Sequence, residues 1–218
     1  MGKKKKNSRR EIFIELSERI SDGYISPGVK LIEQELSSEF GVSRPVIREI
    51  LSQLEAQGLV KKVPNKGTVV CKIDPGSLFE IFEIREVIEG LAARKAAQNT
   101  TAKDWKDLEK KFGAPGDKIV QNKQFEEYLS LVTEFRKRIV SSAQSKELSA
   151  LINSIYAKIR IVQRRVIILP GRIEKGIIEH REVLNAIMKG DPDMAESMKR
   201  NNLHSALKDL KRYKKWVF

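Results

Sequence analysis

The sequence predicts a mainly α-helical chain in two parts, an N-terminal winged helix-turn-helix with a small β-hairpin and a C-terminal all-α bundle. Three observations carry this. Residues 25–70 read as two short amphipathic stretches closing on a tight turn, followed by a basic hairpin. From Asp74 on, the strand signals vanish and helical apolar spacing takes over. Pro115-Gly116, Pro170-Gly171 and Gly190-Asp191-Pro192 punctuate the helical stretches.

The turn is the strongest local signal. Leu36 and Phe40 end one amphipathic stretch, Gly41 supplies the bend, and Ser43 is placed to N-cap a second helix with Ile47, Ile50, Leu51 and Leu54 on one face. Pro45 is compatible with that helix, because in the first turn its missing N–H has no intrahelical acceptor to lose. Arg44 and Arg48, four apart, share the side opposite the apolar residues. Arginines at the start of such a helix can fork onto guanine O6 and N7 or onto phosphate. Double-stranded DNA is therefore the expected partner.

Gly58 stops the second helix. Leu59–Val63 and Thr68–Val70 read as two strands joined by Pro64-Asn65-Lys66-Gly67, with a lysine at the tip of the turn. A basic hairpin beside a reading helix suits a phosphate or the minor groove. The alternative is a small α+β hairpin unit with solvated charges. The expected DNA contacts are Gln34, Ser43, Arg44, Pro45, Val46, Arg48, Asn65, Lys66 and Gly67.

At these residues the chain resembles the GntR family of bacterial transcription regulators. Pro27-Gly28, Leu31, Glu33, Leu36, Gly41-Val42-Ser43-Arg44, Arg48-Glu49, Leu51, Leu54 and Gly58-Leu59-Val60 stand where that family's signature places them, with Gly67 and Val70 closing the wing. The chain departs twice. It reads Ser43-Arg44-Pro45-Val46-Ile47-Arg48 where the family usually has Ser-Arg-Thr-Pro-Val-Arg, and Gln34 replaces a family arginine. These departures bear on the operator sequence.

The chain holds 218 residues, with Lys+Arg 42 against Asp+Glu 29 and a net charge of +13. Residues 1–73 hold 14 Lys/Arg and 9 Asp/Glu, a balance of +5, which leaves +8 for the rest. The basic excess is thus spread over both parts. It favours polyanion partners and a salt-dependent DNA affinity. Cys71 is the only cysteine, which excludes an intrachain disulfide and reads as a packed small residue. No apolar run is long enough for a membrane span, and Glu11, Glu15 and Glu18 interrupt any signal-peptide core after Lys3–Lys6. A cytoplasmic protein is expected, with residues 1–10 as a basic flexible arm, 11–73 as the DNA-binding domain and 74–218 as the helical domain.

The helical domain opens at Asp74-Pro75, with Leu78, Ile81, Phe82, Ile88 and Leu91 at helical spacing. Further helical patterns cover about 102–113, 118–143, 146–168, 172–189 and 192–214. Arg85, Glu89, Glu179-His180, Leu184, Ala186, Gly190-Asp191 and Ala195 look like the ligand-sensing domain of the FadR branch of GntR regulators. Many members of that branch hold a divalent metal on one aspartate and three histidines. Those positions fall on Val132, Arg136, His180 and Asn202, so one donor of four survives. His204 lies two residues past the matching position, on another side of its helix. With two histidines in the chain, no metal and no other cofactor are expected.

Phe125, Tyr128, Val132, Phe135 and Ile139 form an apolar stripe that includes Arg136. The same spacing turns Arg85, His180 and Asn202 inward. Arg85, Arg136, His180 and Asn202 are therefore the candidate effector residues, for a small organic acid or other anion. The alternatives are an ion pair with Glu89 for Arg85 and an acidic core partner for Arg136. Nucleophile elbows, phosphate loops and paired-carboxylate patterns are absent from the sequence, so an enzyme is not expected. The resemblance implies a homodimer on a pseudopalindromic operator, controlled by an effector. The competing reading is an effector-independent architectural DNA-binding protein whose pocket has become plain core.

Overall fold

The computed structural model describes residues 8–21, 23–72 and 74–217. They divide into two compact units, formed chiefly by the chain up to Asp74 and by the chain from Pro75 on. Residues 1–7, most of the expected basic arm, lie outside the described residues. Arg9 and Arg10, counted in that arm, instead open the first helix.

In the first unit, helix α1 (Arg9–Ser21), strand β1 (Lys30–Leu31), helices α2 (Glu33–Phe40) and α3 (Arg44–Ala56), and strands β2 (Val60–Val63) and β3 (Gly67–Val70) follow in order. The antiparallel sheet has the order β1-β3-β2, with Lys30 opposite Val69 and Val63 opposite Gly67. Strand β1 was not expected. Two residues are too short to show an alternation, and only pairing with β3 makes them a strand. Ile12, Leu16 and Ile20 of α1 join Leu36 and Phe40, the predicted α3 stripe, Leu59, Val60 and Val70 in one core.

Gly41 ends α2 with φ 65°, a left-handed conformation that costs glycine little. Gly58 repeats the device after α3, at φ 72°. The Leu59 N–H donates to Leu54 O at 3.0 Å and the Gly58 N–H to Glu55 O at 2.9 Å, so the helix end is hydrogen-bonded while both leucines stay in the core.

From Pro75 on the chain is all helical: α4 (Pro75–Asn99), a 3₁₀ turn (Ala102–Trp105), α5 (Lys106–Phe112), α6 (Ala114–Gln121), α7 (Phe125–Ser142), α8 (Lys146–Ile167), α9 (Arg172–Met188), α10 (Pro192–Arg212) and α11 (Lys214–Val217), all of the second unit except Tyr156–Val162 of α8, which group with the first. Helix α10 packs on both α4 and α9, and α7 on α4. Asp191 caps α10, accepting from the Met194 N–H at 3.0 Å. Trp105 and Phe112 meet Phe135 edge-on, at ring separations of 6.0 and 5.2 Å.

Three expectations change here. Pro115-Gly116 lies inside the first turn of α6, where proline costs no hydrogen bond, so it starts a helix and does not separate two. The single pattern read over 118–143 is two helices, parted at Lys123, whose φ is 52°. Leu91 of α4 is exposed, because the buried face of that helix runs through Leu78, Phe82, Arg85, Glu89, Ala92 and Ala96.

Candidate DNA-reading and effector sites

In the first unit α3 presents its polar side to solvent, with Ser43, Arg44, Pro45 and Arg48 exposed and Val46 half-buried. Ser43 occupies the N-cap position, but its hydroxyl makes no capping bond. The reason is local. Pro45 has no N–H, and the N–H of Val46 is taken by the Ser43 carbonyl at 3.0 Å. Arg48 forks onto Glu33 at the start of α2, Nε–Oε1 at 3.1 Å and Nη2–Oε2 at 2.9 Å, while Arg44 Nη2 lies 3.6 Å from the same carboxylate. The hydrogen bond from Arg48 holds the Glu33 carboxyl below the usual carboxylate range. Glu33 thus orients Arg48 by two hydrogen bonds and lies within ion-pair range of Arg44, and both arginine side chains remain more than half exposed. Gln34, next to it on α2, is exposed.

The wing turn is exposed at Asn65, Lys66 and Gly67. Asn65 adopts φ 62°, and the Lys66 N–H donates to Val63 O at 3.0 Å. Lys30 was missed by the sequence reading. Its pairing register, with Lys30 and Lys61 both opposite Val69, adds two exposed lysines to the wing sheet. Burial pushes the Cys71 thiol pKa up, which leaves little thiolate at neutral pH.

In the second unit the structure brings His180 and Asn202 together with a residue that was not expected, Lys199. Its side chain is only 4% exposed, and its Nζ lies 3.0 Å from Glu89 Oε2 and 3.5 Å from Asn202 Oδ1. Glu89 also accepts from Arg85 Nε at 2.7 Å, and the Arg85 guanidinium lies over the Phe82 ring. Arg85, a candidate effector residue, is thereby engaged within its own helix. Burial raises the Glu89 pKa, but Arg85 and Lys199 outweigh that and hold it at about 2. Burial lowers the Lys199 pKa, and Arg85 and Arg136 lower it further.

His180 is 9% exposed and lies against Phe112, Tyr128 and Phe135. Its Nδ1 is buried and has no hydrogen-bond partner among the described residues. Burial, then Lys199 and Arg172, hold its pKa well below the ordinary histidine value, so the ring is neutral. The Nε and Nη1 atoms of Arg136 are buried as well, while Glu134 pairs with Lys111 at 2.7 Å. Asn202 donates from Nδ2 to Glu179 Oε2 at 2.9 Å, and Glu179 also accepts from Arg172 at 2.6 Å. Lys199 and Arg172 escaped the sequence reading because charged residues on amphipathic helices are usually solvated. Only the spacing of Lys199, three before Asn202, could have pointed to it.

The sequence matches the bacterial regulatory proteins of the gntR family over residues 8–70 and the FCD domain family over residues 80–205. The chain belongs to the GntR family and carries an FCD domain. This GntR-family chain is 25% identical over 215 residues to an uncharacterised helix-turn-helix transcriptional regulator in an unstable DNA locus of Streptomyces ambofaciens, covering 95% of this chain and 86% of that protein. It is 27% identical over 187 residues to the transcriptional repressor RspR of Escherichia coli K12, covering 86% and 82%. Its fold is similar to that of E. coli McbR/YncC, with a TM-score of 0.79, 20% identity and coverage of 94% and 98%. It is a DNA-binding transcription regulator of the GntR type.

The metal that the FadR-branch resemblance implies does not fit these residues. Val132 offers no donor, Arg136 is a cation, and Asn202 spends its amide on Glu179. Lys199 adds an ammonium beside Asn202. Among the described residues no group of three or more His, Cys, Asp or Glu could hold an ion. Nor is any described helix long and apolar enough to cross a membrane.

Proposed function

We propose that this chain is a dimeric, sequence-specific transcription regulator acting in the cytoplasm on a pseudopalindromic operator. Its DNA affinity is controlled by a small anion, an organic acid or a phosphorylated metabolite, bound in the bundle without metal. In this reading Arg44 and Arg48 read bases at the N-terminal end of α3. Gln34, Ser43, Pro45 and Val46 line the same contact, and Asn65, Lys66 and Gly67 bring the wing to the backbone. Arg136, His180 and Asn202, with Lys199 added, hold the effector. Arg85 supports Glu89 and thereby Lys199.

The observation that carries the effector reading is the bare Nδ1 of His180. A buried polar atom left unsatisfied costs about 1–3 kcal/mol, and here it stands among buried side chains of positive charge. A carboxylate or phosphate oxygen accepts from the cations and, with the neutral His180 ring carrying its proton on Nδ1, from that nitrogen as well. The fixed charges of Lys199 and Arg136 then take the part that a divalent ion plays in other FCD domains.

Thermal unfolding in a panel of mono-, di- and tricarboxylates, sugar phosphates and inorganic phosphate tests this. At least one anion raises the wild-type midpoint, because a ligand of the native state alone stabilises it. Arg136→Ala abolishes that rise while DNA binding by the free protein persists. A wild-type midpoint indifferent to every anion, or an Arg136→Ala domain that does not fold, favours the architectural reading with a plain core.

A further inference from the structure

Helix α4 carries an apolar stripe that its own chain leaves uncovered. Ile84, Val87 and Leu91 are 48%, 53% and 39% exposed, on the side of the helix away from Leu78, Phe82 and Glu89. Their spacing of three and four residues is that of a coiled-coil seam. At roughly 100° per residue the same face also takes in Glu80 and Ser77 toward the N-terminus and Lys95 and Gln98 toward the C-terminus. Among the described residues the other exposed large apolar side chains of the bundle, Leu151, Ile168, Ile178, Met194 and Trp216, share no helix face.

The seam is symmetric about the midpoint between Val87 and Ile88. At equal distances on either side of that point stand Ile84 and Leu91, then Glu80 and Lys95, then Ser77 and Gln98. Glu80 and Lys95 have no ion-pair partner among the described residues. The charges on the flank are used within the chain: Glu83 by Lys211 at 3.6 Å, Glu86 by His204 at 3.6 Å and Arg94 by Asp193 at 2.6 Å. A second α4 running antiparallel places each carboxylate opposite an ammonium and each apolar residue opposite another. A parallel pair would set Glu80 against Glu80 and Lys95 against Lys95, which is repulsive.

We propose that α4 pairs with α4 of a second copy, antiparallel, about a two-fold axis between Val87 and Ile88, with Ile84 opposite Leu91 and Glu80 opposite Lys95. The contact is isologous, as a closed two-fold dimer requires. It rests on the dimer reading given above and names the surface and register that make the dimer.

Sedimentation equilibrium of the full chain tests the surface, and cysteine cross-linking in a Cys71→Ser background tests the register. Wild type is a dimer, and Val87→Glu, which buries two like charges near the axis, raises the dissociation constant roughly a hundredfold while the monomer keeps its helical circular dichroism. Glu80→Lys alone weakens the dimer and Glu80→Lys with Lys95→Glu restores it. Under mild oxidation Val87→Cys chains link to one another. Glu80→Cys chains do not, because in this register the two copies of position 80 lie roughly 22 Å apart along the axis, beyond disulfide reach. A mixture of Glu80→Cys and Lys95→Cys chains does link. If wild type is a dimer that Val87→Glu leaves intact, the α4 surface is wrong and the dimer reading stands. If Val87→Glu dissociates the dimer but Glu80→Cys chains link to themselves, the register is wrong. A wild-type monomer at every concentration overturns both readings.

Discussion

Lys199 of α10 and Glu89 of α4 form a 3.0 Å ion pair whose side chains are almost wholly out of solvent. Glu89 serves two cations at once, since Arg85 reaches it at 2.7 Å. The two partners are therefore not equivalent. Glu89→Gln leaves two buried cations without their carboxylate, and its expected cost is about 3–5 kcal/mol. Lys199→Met leaves Glu89 paired with Arg85 and costs less. Urea unfolding of the two variants ranks them, and equal losses would mean that the ion pair acts as an isolated unit.

Acid weakens this bundle in two steps. The pKa of His180 is held well below 6.5 in the folded chain, so as pH falls through about 6.5 the unfolded chain takes up a proton that the folded one does not. Stability then declines by up to about 1.4 kcal/mol per pH unit. Glu89 adds a second loss. Its pKa is 4.5 in the ordinary state and about 2 when folded, so its stabilisation is complete above about 4.5 and vanishes as pH falls toward 2. Melting curves between pH 7 and 5 should show the first decline, and His180→Phe should flatten it. An equal slope in that variant would assign the decline elsewhere.

Gly176 of α9 lies against Tyr128. A Cβ at position 176 would stand 2.1 Å from the Tyr128 hydroxyl oxygen, at the end of a buried, rigid ring. Gly176→Ala gains helix propensity of about 1 kcal/mol, but overpacking costs about 1–3 kcal/mol. The net expectation is destabilisation. A second substitution, Tyr128→Phe, removes the offending oxygen and should recover part of the loss; a Gly176→Ala protein more stable than wild type would contradict the packing.

Protein purified without chelator should hold far less than one transition-metal ion per chain by elemental analysis. A stoichiometric ion, lost in His180→Ala, would show that carboxylates elsewhere rebuild the site.

The head was legible in sequence because its signals are local. Gly41, Gly58 and the α3 stripe each act within a few residues, and the pattern of Ile47, Ile50, Leu51 and Leu54 is the pattern of burial. Strand β1 was not legible, since its two residues gain their structure from β3. Helix α1 was passed over because its glutamates and arginines obscure Ile12, Leu16 and Ile20. In the bundle, the inward turn of His180 and Asn202 followed from periodicity. That of Lys199 did not, because a lysine becomes a core residue only when another helix supplies its carboxylate, here Glu89. Leu91 was misplaced for a related reason. A helix with apolar residues on two sides does not say which side its own chain will cover.

In the proposed function α3 reads operator sequence through Arg44 and Arg48, with Arg48 held by Glu33 and Arg44 beside the same carboxylate. Selection of bound duplexes from a random library, followed by sequencing, measures this directly. Wild type is expected to enrich a pseudopalindrome of two half-sites, with an affinity that falls steeply with salt. Arg44→Ala and Arg48→Ala should each lose about 1–3 kcal/mol on that site and relax the base preference at their own positions. Lys66→Ala should weaken all duplexes alike. Enrichment of the same site by the Arg44→Ala/Arg48→Ala double variant, with undiminished affinity, would contradict the account.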